Sequence, residues 1–163
     1  MSLHDLFVDK LHELAGLEKL LVAGLPPLVK ASTDAELQAA FAEHLKQTEK
    51  QATRITDAVS SLRLESKTDA CKPMVAMVAD AAKAALTEPE GVIRDLAMLG
   101  AAERVEHFEI AAYSSSISLA KTLGYGDAAN LLVENLLEEQ KAAEHLKKIS
   151  KTLLKQAQEE ASQ

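Results

Sequence analysis

The run Ala102-Glu103-Arg104-Val105-Glu106-His107-Phe108-Glu109-Ile110-Ala111-Ala112-Tyr113 sets the reading of the whole chain. Stepping by threes and fours from Leu96 and Leu99 reaches Ala102, Glu106, Glu109 and Tyr113. That period marks one face of a helix, yet two carboxylates stand where leucines are expected. Glu106 and Glu109 share a face by their i, i+3 spacing, while His107 points roughly 100° away from Glu106. A carboxylate on an apolar stripe is costly unless it is paired, protonated or bound to a metal.

The same lapse recurs on three other helical segments. The first, from about Leu3 to Val22, places Phe7, Leu11, Leu14, Leu21 and Leu25 on one stripe, with Glu18 where a leucine belongs. Leu17 is the competing core residue at that step. The second carries Leu37, Phe41, Ile55, Val59 and Leu62, and His44 and Thr48 fill the steps between Phe41 and Ala52. The fourth runs through Leu132, Leu136, Ala143, Leu146 and Leu153 with Glu139 on the stripe. A rotation of one residue would put Glu138 there instead.

Punctuation residues delimit these segments. Gly24, Pro26 and Pro27 break or kink the first; Ser32 or Thr33 caps the second, with Asp34 and Glu36 in its first turn. The polar stretch from Glu65 to Pro73 reads as a loop. Pro73 opens a short helix through Met74, Val78 and Leu86 that ends near Pro89. The third long helix extends from about Glu90 to Leu123, stopped by Gly124 and Gly126, and the fourth starts near Asp127. Short connections within each pair make two antiparallel hairpins, and the long crossover between them holds a fifth, short helix. The expected fold is an all-α, ferritin-like four-helix bundle, one domain over 1–158 with a polar tail at 159–163.

Composition agrees with helices. Aromatic residues are 3% of the 163 and tryptophan is absent, so the core is aliphatic and alanine-rich. The net charge of -7 argues against nucleic acid as a partner, and Lys147, Lys148, Lys151 and Lys155 read as a solvated face. Cys71 is the single cysteine, which leaves no internal disulfide. No apolar run approaches the roughly 20 residues that span a bilayer, and no secretion signal is visible. Cytoplasm, with no membrane partner, is the expected address. Neither a nucleophile elbow nor a glycine-rich phosphate loop is present.

The interior polar residues fall near one level. With the first turn placed near Val29, Glu18 faces about residue 40, roughly one turn from His44. With the second near Tyr125, Glu106, Glu109 and Glu139 agree to about a turn. Carboxylates with one imidazole suit iron or manganese better than structural zinc. Among the other histidines, His4 and His12 read as surface, His107 as an outer-shell or interface residue, and His145 is left open. Tyr113 reads as core packing with a satisfied hydroxyl.

On Glu18, His44, the 102–113 run, the segment Phe41 to Gln51, the Leu123-Gly124-Tyr125 turn and Leu136 to Lys141, the chain resembles the YciF/YciE family. These are bacterial ferritin-like, stress-associated proteins, and the resemblance covers nearly the whole chain. It implies a rubrerythrin-like bundle, usually dimeric, with a di-iron centre and no established reaction. By position it assigns Glu18, His44, Glu106, Glu109 and Glu139 as metal ligands. Two departures stand out: Gln47 occupies a place where relatives commonly have a carboxylate, and the fourth helix lacks the Glu-x-x-His pair of di-iron bundles.

The functional expectation is therefore a homodimer holding two divalent ions per chain, iron first, with manganese or zinc as substitutes, and acting on oxygen or peroxide. The competing expectation is a metal-free helical scaffold or stress-response binding protein. A ferritin cage is a weaker third.

Overall fold

A computed structural model describes residues 1–162; Gln163, the end of the expected tail, lies outside the described residues. Five helices account for most of them, and no strand occurs among them. They are α1 (Leu3–Ala31), α2 (Ala35–Ser61), α3 (Lys72–Thr87), α4 (Val92–Thr122) and α5 (Gly126–Glu160).

Local chemistry sets the boundaries. Ser2 and Asp5 form a reciprocal capping box at the start of α1. Asp34, rather than Ser32 or Thr33, caps α2 by accepting from the Leu37 amide at 2.8 Å. Pro73 lies in the first turn of α3, where a missing N–H costs no helical bond. After α4, Gly124 takes a left-handed φ of 77°, and the Tyr125 amide reaches back to the Ala120 carbonyl at 2.9 Å. Gly124 N–H bonds Lys121 at 3.1 Å, completing a Schellman turn.

Three expected boundaries are corrected. α1 does not stop at Val22 but continues through Pro26 and Pro27 to Ala31. Both prolines are exposed, so the carbonyls they fail to bond lie toward water, while Leu25 and Leu28 on the opposite face are buried. Gly126 does not end α4; it begins α5. α5 extends to Glu160, so the polar tail is helical at Glu159.

α1 packs on α2, α4 on α5, α2 on α5, and α1 on α4, with α3 against α1 and α4. The directions follow from residue pairs. His4 meets Tyr125, Glu18 meets Tyr113, and Thr33 meets Asp95, so α1 and α4 are antiparallel. Gln51 meets Glu138 while Glu36 meets His145, so α2 and α5 are antiparallel too. The segment after α2 must therefore return along the length of the bundle, about 40 Å for a helix of this size, and α3 occupies that return.

The apolar core falls into two clusters. One gathers Leu21, Leu25, Phe41, Met74, Met98, Leu99 and Leu146. The other gathers Phe7, Leu11, Ile55, Tyr113, Ile117 and Leu132. Leu86, in the short helix α3, is 85% exposed on its outer face.

Candidate metal centre

A buried polar belt lies at the level between the two apolar clusters. It consists of Glu18 from α1, His44, Thr48 and Gln51 from α2, Glu106 and Glu109 from α4, and Asn135 and Glu139 from α5. Glu18, Glu109 and Glu139 are fully shielded from solvent, and His44 and Glu106 nearly so. Each residue continues the three- and four-residue stripe of its helix, which is why the fold has to bury it.

His44, Glu106, Glu109 and Glu139 each offer one ligating atom, and these atoms all lie within 4.8 Å of one another. His44 Nε2 is 3.2 Å from Glu106 Oε1 and 4.0 Å from Glu139 Oε2. Many of the donor atoms are unmatched. Glu18 Oε2, both His44 ring nitrogens, Glu106 Oε2, both Glu109 oxygens, Glu139 Oε2 and Gln51 Oε1 are buried without a hydrogen-bond partner. Native interiors leave few such groups, and the four-residue cluster among them could hold a metal ion.

Two hydrogen-bonded chains hold the belt in place. Arg54 grips Glu138 with two bonds of 2.7 and 2.9 Å, and Gln51 donates to Glu138 at 3.1 Å and also to Glu139. In the second chain, Arg54 donates to Asn135 at 2.9 Å, Asn135 to the Tyr113 hydroxyl at 3.0 Å, and Tyr113 to Glu18. Thr48 is not a ligand candidate here, because its hydroxyl bonds the His44 carbonyl at 2.9 Å.

Burial pushes the carboxyl groups of Glu18, Glu106 and Glu109 well above the usual carboxylate range, and the negative charge of Glu139 adds to each. Burial also raises the Tyr113 hydroxyl, with Glu18 the next cause. Without a compensating cation, burial therefore favours the neutral acid at Glu18, Glu106 and Glu109.

The interior location of all five expected residues is thus observed, although Glu18 stands beside the four-residue group and is tied to Tyr113. Leu17 and Glu18 are both buried, so they do not exclude one another. Glu139 faces the interior and Glu138 pairs with Arg54, which separates the two alternatives. The first turn is at residues 32–34 rather than near Val29, so Glu18 faces about residue 48, between His44 and Gln51.

His12 is corrected: it is 7% exposed, with Nε2 3.0 Å from the Glu65 carbonyl. Cys71 lies in the connection as the residue that precedes α3, free of any disulfide, and its side chain is buried. His107 is exposed and does not join the belt. Gln51 and Asn135 were not foreseen. Both sit on stripe positions, Gln51 midway between Thr48 and Ile55 and Asn135 three after Leu132, and that spacing was the available signal.

The helices and the belt can be set beside known proteins. Residues 2–159 match the family model "Domain of unknown function (DUF892)". Protein YciF of Escherichia coli K12 is 36% identical over 144 residues, covering 88% of this chain and 86% of that protein. The crystal structure of the E. coli stress protein YciF superposes with a TM-score of 0.91 at 33% identity, covering 95% of this chain and 98% of the other. YcfI from Rhodopseudomonas palustris, for which a structural role has been suggested, gives 0.86 at 27% identity over 90% and 94%. A Xanthomonas campestris protein at 18% identity shares the fold, with a TM-score of 0.74 over 96% and 99%. Among the described residues, no helix is long and apolar enough to cross a membrane. A match along nearly the full length, with the same helical arrangement, places this chain in the DUF892 family of YciF-type proteins.

Proposed function

We propose that the chain is a ferritin-like bundle that binds two divalent metal ions, iron first, in its carboxylate belt and handles a small oxidant, oxygen or peroxide. The observation that carries this reading is the set of buried, unpartnered donor atoms on Glu18, His44, Glu106, Glu109 and Glu139. Four interior carboxylates bear four negative charges when ionised, and two divalent ions supply four positive ones. Hard and borderline ions favour such a donor set with one imidazole.

His44, Glu106, Glu109 and Glu139 would hold one ion, and Glu18 with the free Gln51 oxygen would add donors for a second. When bound, two such ions supply Lewis acidity and electrons to a small oxidant. The residues around them do the rest. Gln51 donates directly to Glu139 and also to Glu138, which Arg54 grips; Asn135 and Tyr113 fix Glu18, and apolar clusters flank the belt on either side. The family resemblance supports a homodimeric, stress-related role.

A second reading has its own support. Gln47 stands where a carboxylate would strengthen the site, and one similar protein carries a suggested structural role. In that reading the belt is a protonated network within a metal-free scaffold. Replacing Glu106 and Glu109 together with glutamine separates the two. The metal reading expects ferrous ion retained by the wild type after anaerobic loading and desalting to be lost in E106Q/E109Q. Equal retention by both proteins would refute the assignment.

A further inference from the structure

The buried pair His44 and Glu106 meets the outside along one wide opening. A cleft of about 340 Å³ between α2 and α5 is lined by both residues and by Gln47, Glu36, Lys141 and His145. Its floor is buried and its mouth is exposed. On the α3 side, the gap beside the same two residues is only about 20 Å³ and is walled by Phe41, Val78 and Val105, room for about one water.

Two features of the cleft point to a cation. At its floor, Glu106 Oε2 and both His44 ring nitrogens are buried without a hydrogen bond, with His44 Nε2 3.2 Å from Glu106 Oε1. At its mouth, His145 Nε2 lies 3.4 Å from Glu36 Oε1, with both side chains half-exposed. Two ligands each about 2.1 Å from a shared ion sit roughly 3.0 to 3.4 Å apart, so this pair is already spaced to hold one. Glu43 adds a second carboxylate to the wall, and Lys141 on the rim opposes a cation.

We propose that this cleft is the loading route of the metal centre, with Glu36 and His145 capturing a divalent cation and His44 and Glu106 receiving it. The inference rests on the metal-binding reading above. It adds a direction of entry and a surface capture site.

The test is the rate at which apo protein takes up cobalt(II), followed by visible absorbance in a stopped-flow instrument, with cobalt per chain measured at the end. In E36Q/H145Q the bimolecular rate should fall about tenfold, the low end of what a charged funnel contributes, with unchanged final stoichiometry. Ala142→Phe, which fills the cleft wall, should also slow uptake, whereas Lys141→Gln should speed it. Rates within about twofold of wild type in all three variants would overturn the route, as would a loss of stoichiometry in E36Q/H145Q. Failure of the wild type itself to take up cobalt would instead refute the metal centre on which the route depends.

Discussion

Tyr113 on α4 donates its hydroxyl hydrogen to Glu18 on α1, across the interior and 95 residues away in sequence. The same hydroxyl accepts from Asn135 on α5, so one phenol oxygen links three helices at the level of the polar belt.

Removing that oxygen leaves two buried partners short of a bond. Tyr113→Phe should therefore destabilise the apo protein by about 1–3 kcal/mol, the cost of stranding buried polar groups. Urea unfolding measures this directly. A loss below about 0.5 kcal/mol would mean that Glu18 and Asn135 find other partners.

The raised carboxyl groups make apo stability depend on pH in a defined direction. Glu109 keeps its proton when folded at pH values where the unfolded chain, titrating near 4.5, has released it. The unfolded state then binds fewer protons, so the stability this group contributes is fully present below about 4.5 and is lost as pH rises toward the folded value. The limit is about 1.4 kcal/mol per pH unit for each such group. Glu109→Gln removes one of them, so its stability should decline less steeply than that of the wild type between about pH 5 and 8. Equal slopes in chelator-treated samples would contradict the burial account.

Metal should invert that trend. Binding requires the belt to lose protons, so affinity should rise with pH and loading should release protons to unbuffered solution. Proton release is read with a pH electrode during cobalt titration. Uptake without release would show that the acids were already ionised.

Arg63 adopts a φ of 56° just after α2, a left-handed position with the same backward bonds that Gly124 makes after α4. Arg63→Gly should stabilise the protein by about 0.5–1 kcal/mol, seen as a higher urea midpoint. A lower midpoint would show that the arginine side chain contributes more than its backbone costs.

How much of this was legible in the sequence varies with the kind of interaction. Stripe periodicity gave the helices and put Glu18, His44, Glu106, Glu109 and Glu139 inside, because a residue on an apolar stripe has no other direction to face. Pro26 and Pro27 misled, since their helix-breaking cost depends on which face they occupy and on the burial of Leu25 and Leu28 beside them. Asp95 was unreadable for a different reason. It is 1% exposed and accepts from the Thr33 and Asp34 amides 62 and 61 residues away, a cap whose partner only the tertiary fold supplies. Gln51 and Asn135 were on the stripes but carry no charge, so nothing in composition distinguished them from surface amides.

The central claim is that the belt holds two divalent ions, and elemental analysis tests it most directly. Untagged protein loaded anaerobically with ferrous iron and then desalted should retain about two irons per chain, matching four interior carboxylates against two double charges. Retention of no iron would contradict the claim and leave the belt a buried network of protons.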